Sequence, residues 1–255
     1  MAKYVGLEWA SRGWFGVILD DGTGWETELF PSVWSVWKYH SDADHVLVDV
    51  PVGLPSDARR TCDVEAKAKL GDRGRRVFYA PVREAVYEGS LPEARAVNEA
   101  AAGFSVQNQV WSIVPRIREV DEFLDTRPGA RDRLAETRPE LCYYALNGRT
   151  PVAEPKTTDA GVERRTALLA DEHPEAASIC ERARDRYTTP RYAPTVGRME
   201  DVLDALAAAL TARRMPDDCL TLPDAPPTDE RGLPMRIVYP SDTEQTRLST
   251  LDLSG

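Results

Sequence analysis

Three short β-compatible runs open the chain before any helical periodicity sets in. Tyr4-Val5-Gly6-Leu7 is apolar, Trp14 to Leu19 follows the Ser11-Arg12-Gly13 break, and Trp25 to Phe30 follows Asp20-Asp21-Gly22-Thr23-Gly24. Runs of this length between turn formers predict strands, and the Asp-Gly turn predicts that the second and third form an antiparallel hairpin. Pro31 then opens a short helix with Val33, Trp34, Val36 and Trp37 on its apolar face. His45 to Val50 is a brief apolar run that stops at Pro51, as a strand buried on both faces would.

Beyond Pro51 the period becomes helical. Helices are expected from Cys62 to Leu70, Leu91 to Ala102 and Val106 to Leu124, with Pro115 kinking or dividing the last. Leu134 to Thr137 reads as another strand, followed by helices from Pro139 to Leu146, Asp159 to Ala170, Pro174 to Arg186 and Arg198 to Arg213. Past Met215 proline and acids dominate, with one strand from Met235 to Tyr239 and a loosely held polar end over the last dozen residues. The succession predicts an α/β fold: a mixed sheet, antiparallel over its three leading strands and parallel afterwards, with helices on its faces. The expected division is one domain over 1–214, carrying a helical insertion near 55–130, and a C-terminal extension over 215–255.

Acids stand where such a sheet gathers ligands. Glu8 closes the first strand and Asp49 the buried one, and strand ends in open α/β sheets leave crevices lined by rigidly held side chains. Glu140 sits behind Pro139 at a strand-to-helix switch. On the last helix Asp201 and Asp204 are three residues apart and Glu200 and Asp204 four, so they share a face, while Val202 to Leu210 is otherwise nearly all apolar and packs on the sheet. Glu8, Asp49, Glu140 and Asp204 are therefore read as catalytic acids. Crowded carboxylates hold protons unless a cation neutralises them, and hard oxygen ligands suit Mg²⁺ or Mn²⁺. Glu8, Asp49, Asp201 and Asp204 form the expected ligand set. Two ions about 3.5–4 Å apart could activate water and steady the leaving oxygen in phosphodiester cleavage. The plainer reading of such acids is turn former or dipole cap, and it holds most strongly for Glu200 and Asp201.

Composition narrows the classes. The net charge is −10 and only five lysines occur, which argues against strong unspecific adhesion to nucleic acid. A local excess survives within that balance: between 59 and 83 stand eight basic residues (Arg59, Arg60, Lys67, Lys69, Arg73, Arg75, Arg76, Arg83) and three acids (Asp63, Glu65, Asp72). No apolar run is long enough to span a bilayer, and the N-terminus lacks the basic start and apolar stretch of a secretory signal. A cytoplasmic protein without a membrane partner is expected. The four cysteines are scattered without a C-x-x-C pair, so reduced thiols are the default. Gly103-Phe104-Ser105-Val106-Gln107 lacks the second glycine of a G-x-S-x-G elbow, no G-x-x-x-x-G-K-[ST] loop occurs, and the three histidines have no zinc spacing.

An ordered series of blocks adds a resemblance. Asp49-Val50-Pro51-Val52-Gly53-Leu54-Pro55, Arg59-Arg60-Thr61-Cys62-Asp63, Gly71 to Arg83, Gly103 to Gln107, Ile113 to Asp121, Arg138-Pro139-Glu140-Leu141, Leu146-Asn147-Gly148, Lys156-Thr157-Thr158 and Asp201 to Ala205 resemble the domain of unknown function 429 family. Its members are regarded as predicted nucleases of ribonuclease-H-like fold, and the likeness runs from about position 4 to 214. The resemblance implies that topology and a metal-dependent nuclease. Family members usually carry aspartate where Glu8 stands and commonly histidine where Arg138 stands. The longer glutamate would shift a bound ion by one methylene, and arginine adds positive charge beside the site. Within the blocks, Arg75, Arg76 and Arg83 look phosphate-facing, with Gln107 and Lys156 assisting; the plainer reading is a solvated loop paired with local acids.

The leading expectation is a Mg²⁺- or Mn²⁺-dependent phosphodiesterase acting on nucleic acid. The alternative is a non-catalytic binding or regulatory protein that keeps the fold, motivated by Glu8 and Arg138. An actin-like ATPase is disfavoured, because two such domains and a glycine-rich phosphate hairpin would be needed and the chain has room for one.

Overall fold

The computed structural model describes residues 1–187 and 199–241. In chain order it contains β1 (Lys3–Ala10), β2 (Gly13–Asp20), β3 (Trp25–Phe30), α1 (Val33–His40), β4 (His45–Val48), α2 (Thr61–Leu70), α3 (Arg83–Val86), α4 (Leu91–Ala102) and α5 (Asn108–Thr126). Then come β5 (Leu134–Glu136), α6 (Pro139–Leu146), α7 (Asp159–Glu172), α8 (Ala176–Tyr187), α9 (Met199–Arg214), β6 (Cys219–Leu222) and β7 (Ile237–Pro240). The main sheet is mixed, five strands in the order β3-β2-β1-β4-β5, and β6 and β7 form a second, two-stranded sheet. β1 pairs antiparallel with β2 and parallel with β4, and β2 pairs antiparallel with β3. The α/β class and the antiparallel-then-parallel sheet expected from the runs are therefore present.

Two local expectations change. Of the two outcomes expected at Pro115, division does not occur: α5 runs through it, because the buried stripe of Val110, Val114, Ile117, Val120, Phe123 and Leu124 continues across it and its packing outweighs one lost backbone bond. β6 lies in a stretch read as irregular; four residues with a mixed burial pattern carry too little periodicity to stand out. The expected loose end over the last dozen residues, and Arg198 as a helix start, lie outside the described residues.

The chain forms two compact units: Met1–Asp49, Thr137–Leu220 and the chain from Val238 make the first, and Val50–Glu136 with Thr221–Ile237 the second. The first unit buries α9 on the sheet. Val202, Leu203, Leu206, Ala209 and Leu210 share a core with Phe15, Val17, Leu19, Tyr143, Leu169 and Ile179. Contact at β1 is backbone to backbone: a Cβ on Gly6 would stand 2.1 Å from the Ala205 carbonyl oxygen and 2.2 Å from the Ala209 nitrogen. Glycine at 6 and the alanine run on α9 are thus two sides of one close approach.

The second unit packs Val82, Ala85, Ala94, Val106 and Val110 into a small core. Beside it a fully buried ionic cluster ties loop to helix to strand. The Arg60 guanidinium donates to both Asp63 oxygens (3.1 and 2.6 Å), both Glu136 oxygens (3.1 and 2.7 Å) and the Val52 and Gly53 carbonyls. Asp63 also accepts from Ala80 N–H, and Glu136 from Val52 N–H. Among the described residues no helix is long and apolar enough to cross a membrane, and the four cysteines are free thiols.

Candidate acid site in the first unit

The site follows from strand register and from the Gly6 contact. Leu7 pairs with Val48, and Asp49 N–H donates to the Leu7 carbonyl at 3.2 Å, so Asp49, the residue after β4, stands beside Glu8, which lies within β1 rather than closing it, because pairing with β2 carries the strand on to Ala10. Glu8 is two residues from Gly6 and shares its face. That face carries α9, whose backbone meets Gly6 from Ala205 to Ala209, which brings Asp204 and the preceding turn toward Glu8. Thr137 N–H donates to the Val48 carbonyl at 3.0 Å, which sets the next residue, Arg138, against the end of β4. Lys156 rides on a loop clamped by α7, since a Cβ on Gly161 would stand 1.9 Å from the Pro155 carbonyl oxygen.

Three of the four acids each meet a different cation. Lys156 Nζ donates to Asp204 Oδ2 at 2.6 Å, and Asp204 is buried. Arg138 Nη1 donates to Asp49 Oδ1 at 3.1 Å. Arg165 grips both Glu140 oxygens at 3.2 and 3.1 Å, binds the Glu154 and Gly161 carbonyls, and stands 5.2 Å over the Tyr143 ring. Glu8 differs: its Oε2 is enclosed and has no hydrogen-bond partner.

Proton affinities follow this arrangement. Burial, then the nearby charges of Asp49 and Asp204, push the Glu8 carboxyl well above the ordinary glutamate value, with Lys156 working the other way. Burial raises Asp204 to about 6, against the pull of Lys156. For Lys156 burial alone would weaken proton binding, but the carboxylates of Asp204 and Glu8 outweigh it and the ammonium is held more firmly than usual. Tyr143, whose hydroxyl donates to the Leu203 carbonyl at 2.9 Å, is raised by burial and by Asp204. A cleft of about 490 Å³ opens beside Lys156, lined by Thr157, Thr158, Asp159, Val162, Met199 and Glu200.

Glu8, Asp49, Asp204 and Lys156 thus share one electrostatic centre, with Asp201 adding to the charge on Glu8 and Glu140 to that on Asp204. The residues as placed do not fit a divalent ion. Among the described residues no three His, Cys, Asp or Glu side chains are grouped to hold one, and Asp49 and Asp204 already accept from cations of the chain. Of the residues read as phosphate-facing, Lys156 belongs to this site, on Asp204. Arg75, Arg83 and Gln107 are in the second unit. Arg75 and Gln107 are exposed, whereas Arg83 is tied to Asp121 at 3.0 Å and to Asp229 at 2.5 Å. The Arg76 side chain lies outside the described residues. Arg165 escaped notice in the sequence, though an arginine in register with Gly161, Leu168 and Leu169 on the buried face of α7 was its signal.

Comparison with known proteins gives one match. The family model DUF429, described as a protein of unknown function, matches residues 6–228. No curated protein and no solved structure matches the chain.

Proposed function

From a chain that belongs to the DUF429 family, we propose a phosphodiesterase of ribonuclease-H-like fold, acting on nucleic acid through acid–base chemistry, with charge neutralised by the protein's own Lys156 and Arg138. The sheet order and the acids beside the end of β4 support the topology. One observation supports the proposal: Glu8, whose carboxyl is pushed well above the ordinary glutamate value by burial and acidic neighbours, stands in the same centre as the ammonium-bound Asp204. Two acids in unlike environments, one bound by an ammonium and one with an enclosed oxygen, are suited to opposite roles.

In this reading Asp204, ionised above about pH 6, takes a proton from the attacking water. Glu8 gives its proton to the leaving oxygen. Lys156 and Arg138 hold the phosphoryl oxygens as negative charge grows on them. A divalent ion bound at Asp204 would have to displace Lys156 from it. The test is cleavage of end-labelled single-stranded and duplex DNA and RNA, in EDTA and with Mn²⁺ or Mg²⁺. Wild type should cleave in EDTA, and Asp204→Asn and Glu8→Gln should each lose about 100-fold or more. Cleavage that appears only with Mn²⁺ would replace the acid–base route with a metal one.

The second reading is a non-catalytic binding protein of the same fold. The pairing of Asp49 with Arg138 and of Glu140 with Arg165 favours it, because paired acids are ordinary scaffold. Inactivity of the wild type under every condition would select it.

A further inference from the structure

In the second unit, four side chains that the acid site does not use form a partly exposed platform, with Arg59 exposed and Lys67, Tyr79 and Phe104 half-buried. Tyr79 and Phe104, both half-buried, meet edge to face with ring centroids 5.8 Å apart. The exposed Arg59 guanidinium lies 4.7 Å from the Tyr79 centroid and 5.2 Å from that of Phe104, and Lys67 Nζ lies 4.3 Å from Tyr79.

Three buried anchors preorganise the platform. Arg60, locked in its ionic cluster, directly follows Arg59. Asp63 of that cluster accepts from the N–H of Ala80, the residue after Tyr79. Asn98, fully buried, donates to the Phe104 carbonyl at 2.7 Å and accepts from Val82 N–H at 2.8 Å, joining the two aromatic segments. The stretch is basic in sequence: besides Arg60 and Asp63, committed inward, and Arg83, bound to acids, it carries Arg59, Lys67, Lys69, Arg73, Arg75 and Arg76 against Glu65 and Asp72.

We infer that this platform binds single-stranded nucleic acid, with Tyr79 and Phe104 stacking bases and Arg59 and Lys67 taking the backbone phosphates. Aromatic faces suit any base, but only an unpaired one exposes its own face, so the chemistry selects single strands over duplex. The cations over the rings fit the same ligand, since a guanidinium can stack on a base or move onto a phosphate. This inference deepens the nucleic-acid reading above but does not need catalysis.

Fluorescence anisotropy of labelled dT20, U20 and a 20-base-pair duplex, titrated in EDTA at low salt, tests it. Wild type should bind both single strands at least about tenfold more tightly than the duplex, and affinity should fall steeply as salt rises. Tyr79→Leu and Phe104→Leu should each weaken binding about tenfold, Tyr79→Phe should keep it, and the exposed Arg59→Gln should weaken it even if the leucine variants fail to fold. No binding at micromolar protein, equal affinity for duplex, or an unchanged Arg59→Gln together with unchanged leucine variants would overturn the inference. Selective binding without cleavage would uphold it while removing the phosphodiesterase. Cleavage with unaltered binding in these variants would do the reverse.

Discussion

Each unit of this protein gathers carboxylates around cations, yet to opposite ends. In the second unit, Arg60 donates to Asp63, Glu136 and two backbone carbonyls, and both acids also accept from backbone N–H groups. In the first unit, Asp204 relies on one ammonium, and Glu8 has an enclosed oxygen with nothing donating to it. The residue types are alike; what differs is hydrogen-bond completeness. A saturated buried ion cluster holds backbone segments in place. An unsaturated one shifts proton affinities, the property that the proposed acid–base route would use.

That contrast can be broken at its strongest point first. Arg60→Met leaves Asp63 and Glu136 buried without their cation, and should cost about 3–5 kcal/mol. Urea denaturation followed by circular dichroism would measure it, and a loss below about 1 kcal/mol would mean that the cluster is no more structural than the acid site.

The next effect has the opposite sign. Asp204 is raised from the ordinary 3.8 to about 6 in the fold. Between those values the folded chain keeps a proton that the unfolded chain has released, so this group's contribution to stability falls as pH rises from about 4 to about 6. Asp204→Asn, which imitates the protonated form, should therefore gain on wild type across that window, by about 3 kcal/mol at most for a shift of about two units. Glu8 is shifted in the same direction by burial and its acidic neighbours, so Glu8→Gln should gain likewise. Unfolding free energies of wild type and variants at a series of pH values would show the slopes. Parallel curves would contradict the unsaturated character of the site.

Smallest is the contribution of the resident ammonium. The Lys156 side chain is 32% exposed, so solvent screens part of its attraction for Asp204, and Lys156→Met should cost about 1 kcal/mol at neutral pH. Its sharper signature is in the titration: without the ammonium, Asp204 should hold its proton to higher pH, and the stability decline should extend above about 6. A decline that stayed in place would assign the raised affinity of Asp204 to burial alone.

Much of the sheet was legible because its signals are local. The leading strands, the buried run to Val48 and the capped helix after Ser32 are set by apolar alternation, turn residues and an N-cap hydroxyl accepting from Ser35 N–H. The acids too could be singled out, since Glu8 on β1 and Asp49 just past β4 are brought abreast by parallel pairing. β6 was not, because four residues hold no clear period, and neither was the continuity of α5 across Pro115, because a proline's local penalty says nothing of the packing that outweighs it.

What the amino-acid order determined by itself was the class of fold and the placement of Glu8, Asp49 and Asp204 on elements that converge. Only the tertiary structure decided which charges meet: Lys156 on Asp204, Arg138 on Asp49, Arg165 on Glu140, Arg83 on Asp121 and Asp229. The division into two units, each closed by a segment from beyond residue 136, was likewise decided in space. Periodicity reports each residue's own neighbours along the chain, whereas ion pairing and burial depend on side chains dozens of residues away, whose distances no local pattern records.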